Sequence, residues 1–97
     1  IKPYKQNTMP TFQQHYAIRN AKGLHARAAT QFVQTANQYE SAVAVYRGEA
    51  KADGKSVMSL LILAVPCGGQ IKVETSGQDA KESLEALGAL VNAGFGE

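Results

Sequence analysis

The stretch Lys22-Gly23-Leu24-His25-Ala26-Arg27-Ala28-Ala29 joins an alternating segment to a helical one, and the rest of the chain can be read outward from it. Ala28 and Ala29, with the Thr30-Gln31-Phe32-Val33 that follows, read as helix, so His25 falls at or just before the first turn. Gly23 supplies a permissive backbone just ahead of it. The first N–H groups of a helix lack partners within it and its dipole is positive there, so an anion is favoured beside His25. A neutral histidine so placed can act as a nucleophile. A phosphoryl group on its ring would meet those N–H groups, with Arg27 or Lys22 in reach. The competing reading is a plain solvated helix start, since a histidine and an arginine near a helix end are common.

Upstream, residues 11–19 alternate as a strand. Phe12, Gln14, Tyr16 and Ile18 share one face, and Gln13, His15, Ala17 and Arg19 share the other. His15 therefore reads as a solvated strand residue. Residues 20–23 form the loop into the helix. Residues 1–8 read as an extension or an expression remnant ahead of a domain at 9–97, with Met9 a candidate start.

Downstream, the spacing predicts a helix over residues 26–39. Ala29, Phe32, Val33 and Ala36 make its apolar stripe, while Thr30, Gln31 and Gln34 face elsewhere. Ala42-Val43-Ala44-Val45-Tyr46, a turn at Arg47-Gly48 and a returning strand over 49–52 predict a hairpin, closed by Asp53-Gly54. Ser56 is a candidate N-cap for a helix over 57–65. That helix is apolar nearly all round. Either Val57, Met58 and Leu61 are partly exposed as a docking patch, or the helix is sandwiched and fully buried. Pro66-Cys67-Gly68-Gly69 ends it. Residues 70–75 alternate as a strand with Ile71 and Val73 inward, and Ser76-Gly77 turns the chain. A third helix spans 79–92, with Leu84, Leu87, Gly88 and Val91 on one stripe and Gly94 and Gly96 marking its end. Asp79, Glu82 and Glu85 read as solvated helix charges, and Cys67 as a loop thiol without chemistry. The order β-α-β-β-α-β-α predicts an α+β fold, a two-layer open-faced sandwich in which three helices cover one face of a four-stranded antiparallel sheet.

Ninety-seven residues make one domain, and 44% hydrophobic content is enough for a modest core. A net charge of +2 without a Lys/Arg run argues against nucleic acid as a partner. Cys67 is the only cysteine, so no disulfide can form within the chain. Two histidines and one cysteine far apart give no metal-ligand spacing, and neither metal nor cofactor is expected. The apolar run over 57–67 is too short to span a bilayer and the first residues hold no signal-peptide block, so a cytoplasmic monomer without stable membrane insertion is the default.

Gly23-Leu24-His25-Ala26-Arg27-Ala28-Ala29 resembles the active-site signature of the HPr phosphocarrier family of the bacterial phosphotransferase system. Lys55-Ser56-Val57-Met58-Ser59-Leu60-Leu61 resembles the family's regulatory-serine segment, at the family's usual distance downstream. The likeness covers residues 9–97. The ending Ala89-Leu90-Val91-Asn92-Ala93-Gly94-Phe95, with Ser56-Val57 and Leu60-Leu61, is more similar to the nitrogen-branch members, NPr, than to the sugar-transport members.

The resemblance implies that His25 accepts a phosphoryl group on Nδ1 from phosphorylated enzyme I, charged by phosphoenolpyruvate, and passes it to a histidine of an enzyme IIA. It implies a carrier and not a turnover enzyme. Arg27 matches the arginine that balances phosphate charge, with Lys22 and Ala26 in the phosphate's surroundings. Ser56 matches the serine modified by HPr kinase/phosphorylase. Val57, Met58 and Leu61 match the surface that docks enzyme I and IIA, to which Thr30 and Gln34 are added. One departure stands out: the family usually has proline where this chain has Ala28. Alanine permits the helix and adds an N–H donor, with a looser first turn as the expected cost. A different class of function remains open beside the carrier: a regulatory module of the same fold, acting through Ser56 and the apolar patch with little or no transfer. A third, an unrelated small ligand-binding domain, would leave the paired motifs unexplained.

Overall fold

The computed structural model describes residues 9–97. The extension expected at residues 1–8 lies outside them. Strand β1 (Thr11–Ala17) leads to helix α1 (Ala26–Ala36), then β2 (Ala42–Arg47), β3 (Ala50–Asp53), helix α2 (Val57–Ile62), β4 (Gln70–Ser76) and helix α3 (Ala80–Asn92), with a final helical turn at Gly94–Gly96. The strands lie in the order β1-β4-β2-β3, and every pairing is antiparallel. All three helices cover one face, giving the expected open-faced sandwich.

Period-two patterning sets which face is covered. In β4, Ile71, Val73 and Thr75 are buried while their neighbours are not. Val73 lies opposite Val45 in β2 and Gln14 in β1, so β4 seats the centre of the core. Phe32 of α1, Leu60 of α2, Leu87 and Val91 of α3, and Ile18 fill the layer between sheet and helices. β1 is only half covered: Phe12 lies on the inner face yet stays exposed.

Three expectations need correcting. The helix predicted over 57–65 ends at Ile62, with Leu63 as its C-cap. Ala64 then turns left-handed at φ 53, and the bonds from Leu63 N–H to Leu60 O and Ala64 N–H to Leu61 O tighten the last turn to three-residue spacing. Pro66 also disfavours helical backbone at Val65. The helix predicted over 26–39 ends at Ala36 and continues only as turns. Asp79, partly exposed, is more than a solvated charge. Its two carboxylate oxygens accept the N–H groups of Glu40 (2.8 Å) and Ser41 (2.9 Å), tying the start of α3 to the loop before β2. Those bonds, the one from Glu40 foremost, hold its carboxyl below the usual aspartate range.

Candidate functional site

His25 is the N-cap of α1, with extended backbone at φ −88 and ψ −176. Its carbonyl accepts the Ala29 N–H at 2.8 Å, closing a normal first turn despite the alanine at position 28. Ala28 itself is fully buried. The segment before His25 is seated on the turn after α2. Leu24 N–H donates to Val65 O at 2.9 Å, and Gly23, at φ +70, lies so near that a Cβ there would come within 2.4 Å of the same oxygen. Only glycine combines that backbone with that approach.

The imidazole is held at both nitrogens. Nδ1 accepts the Arg27 N–H at 3.3 Å, so this nitrogen presents its lone pair. The proton then sits on Nε2, which donates to Glu97 Oε2 at 2.6 Å. Asn20, nearly buried, orients the carboxylate: its Nδ2 donates to Glu97 Oε1 at 3.2 Å and to Gly23 O at 2.6 Å. Burial pushes the Glu97 carboxyl up. The hydrogen bonds from His25 and Asn20 and the nearby Arg27 guanidinium outweigh it, and the net effect is a lowered pKa.

An open depression of about 650 Å³ surrounds this group, lined among others by Arg19, Lys22, His25, Arg27, Gln31 and Glu97. Three cations and one carboxylate leave it positive. Arg27 and Lys22 side chains have no hydrogen-bond partner among the described residues, so both are available to an anion. Ala26 is exposed at the first helical position, next to the Arg27 N–H. Chemically, the arrangement offers an imidazole lone pair facing a helix N–H donor, with exposed cations around it.

A family model described as "PTS HPr component phosphorylation site" matches residues 12–93. The chain belongs to the HPr family. The HPr phosphocarrier of Neisseria meningitidis serogroup A is 45% identical over 85 residues, spanning 88% of this chain and 96% of that protein. The NPr phosphocarrier of Shewanella violacea is 39% identical over 89 residues, spanning 92% and 98%. Among solved structures, HPr-C-His from Thermoanaerobacter tengcongensis superposes with a TM-score of 0.86 at 37% identity, covering 89% of this chain and 97% of that one. The family is one of phosphocarriers of the phosphotransferase system, and its HPr fold is the one seen here.

The remaining site residues lie apart from the depression. Ser56 caps α2: its Oγ accepts the Ser59 N–H at 3.2 Å. Lys55, its neighbour, is occupied structurally, with Nζ donating to Tyr39 O at 2.8 Å. On α2, Met58 is 68% exposed, whereas Val57 and Leu61 are half-buried against the core. The fully sandwiched alternative is thereby excluded. Ile62, overlooked in the sequence, is the most exposed apolar residue of the helix at 77%. Thr30 and Gln34 sit one turn apart on α1, both exposed, and Thr30 Oγ1 donates to Ala26 O. Sequence reasoning also missed Asn20 and Glu97. The available signal was Phe95 between two glycines, an aromatic anchor in a tight turn. Phe95 is buried at φ 57 and fixes the segment that carries Glu97. No helix among the described residues is long and apolar enough to cross a membrane.

Proposed function

We propose that His25 accepts a phosphoryl group on Nδ1 from phosphorylated enzyme I and gives it to a histidine of an enzyme IIA. The observation that carries this reading is the two-sided hold on the imidazole, with a lone pair at Nδ1 and a proton at Nε2 facing Glu97. In the forward step the Nδ1 lone pair forms a bond to phosphorus while the donor's P–N bond breaks, and the donor ring keeps that electron pair. The His25 ring gains positive charge as the bond forms, and the Glu97 carboxylate on Nε2 offsets it. The phosphoryl oxygens gain the Arg27 N–H, released from Nδ1, and the Arg27 and Lys22 side chains. The reverse sequence delivers the group to IIA. An exposed helix start with exposed cations, unpaired among the described residues, holds the group without trapping it, as a carrier requires.

Docking falls on the α2 face, with Met58 and Ile62 as apolar anchors, Val57 and Leu61 beneath them, and Thr30 and Gln34 at the rim. Ser56 is the site for an HPr kinase/phosphorylase. A phosphate on its Oγ would put a dianion beside that face and repel partners without unfolding the helix. The reading places the chain among cytoplasmic partners. Which IIA accepts the group decides between the sugar and nitrogen branches, and relatives of both names support the shared carrier step.

The test is intact mass after incubation with phosphoenolpyruvate and an enzyme I active on another HPr. The expected result is an acid-labile phosphate adduct on the wild type and none on His25→Ala. An unmodified wild type would contradict the carrier reading and favour the regulatory module acting through Ser56.

A further inference from the structure

We infer that Arg47 is a positioning residue for His25, acting through the turn that ends α2. The inference rests on the phosphocarrier reading for its kinetic consequence, though not for its geometry. The last carbonyls of a helix need partners from outside it. At the end of α2 one nitrogen of Arg47, Nη1, donates to both Leu63 O and Ala64 O, each at 2.9 Å. Ala64 is held there in the left-handed region at φ 53, a conformation that non-glycine residues adopt only when their surroundings impose it.

The next carbonyl along, Val65 O, is the one that accepts the Leu24 N–H. Gly23 packs against the same oxygen and against Pro66, and the His25 N–H donates back to Gly23 O at 2.9 Å. The peptide that enters His25 is therefore seated on the residue that follows the two carbonyls Arg47 holds. The same turn terminates the helix carrying Met58 and Ile62. Arg47, at the far end of β2, keeps the docking face and the reacting imidazole in one fixed relation. A lysine would keep the charge and a nitrogen able to donate twice, but on a flexible stem without the preset donor directions of the planar guanidinium.

The experiment compares wild type, Arg47→Met and Arg47→Lys. Amide hydrogen exchange is followed at Leu24, with Phe32 and Val73 as core reporters, and phosphoryl uptake from enzyme I and phosphoenolpyruvate is measured against chain concentration. In Arg47→Met the Leu24 amide should exchange about tenfold faster with Phe32 and Val73 unchanged, and kcat should fall about tenfold, with Arg47→Lys in between. An unchanged Leu24 amide overturns the inference. So does a uniform acceleration at all three amides, which would make Arg47 a general stabiliser, or a rise in KM alone. If the wild type takes up no phosphate, the carrier reading fails, and the Leu24 comparison by itself still decides whether Arg47 positions this segment.

Discussion

Glu97 Oε2 and His25 Nε2 lie 2.6 Å apart although 72 residues separate them in the chain. The contact places the imidazole proton on Nε2 and leaves the lone pair on Nδ1, where it accepts the Arg27 N–H. Because the folded carboxyl of Glu97 titrates below its ordinary value, the stability it adds is complete above the unfolded pKa and is lost as pH falls through the folded one. An NMR pH titration should place the Glu97 midpoint below that of an ordinary glutamate. In His25→Ala it should move back up. An unchanged midpoint in that variant would remove the pairing from the account.

Gly23→Ala tests the seat beneath His25. The added Cβ meets Val65 O at 2.4 Å and the residue stands at φ +70, so neither a rotamer change nor a small shift relieves it. Urea unfolding should show a loss of about 2 kcal/mol or more. A loss under about 0.5 kcal/mol would mean that the turn after α2 yields easily.

Asp79→Asn should change how stability depends on acid. The wild-type carboxylate accepts two backbone N–H groups and titrates low, so its contribution is present at neutral pH and fades below about pH 4. The amide keeps one acceptor oxygen and has no such titration. The variant should be less stable at pH 7, and the gap should close as the wild type is acidified. Parallel stability curves from pH 7 to 2 would refute this.

Ile62→Asp separates docking from folding. The side chain is mostly exposed, so stability should change by no more than about 0.5 kcal/mol. A charge in the apolar patch should nevertheless raise KM for phosphoryl uptake from enzyme I by about tenfold, with kcat little changed. Unaltered kinetics would move the docking surface elsewhere.

The fold was legible because its signals are local. Ile71 and Val73 alternate in β4, Phe32 and Ala36 share a helical stripe, and Ser56 caps the helix it precedes. The placement of His25 and Arg27 at the start of α1 was legible for the same reason, as one short stretch sets both. The end of α2 was not, since an alanine takes the left-handed position where glycine would have announced it and a distant arginine supports it. Asn20 and Glu97 were hidden by distance, because a contact spanning 77 residues leaves no mark on sequence periodicity. Asp79 resembled a solvated charge because helix starts commonly carry acids, and only the folded loop shows the two N–H groups it holds.

The most direct measurement is an ¹⁵N–³¹P NMR experiment on the protein after phosphorylation by enzyme I and phosphoenolpyruvate. The account expects phosphorus coupled to Nδ1 of His25, with Nε2 still protonated and facing Glu97. Phosphorus on Nε2, or on any other residue, would contradict it.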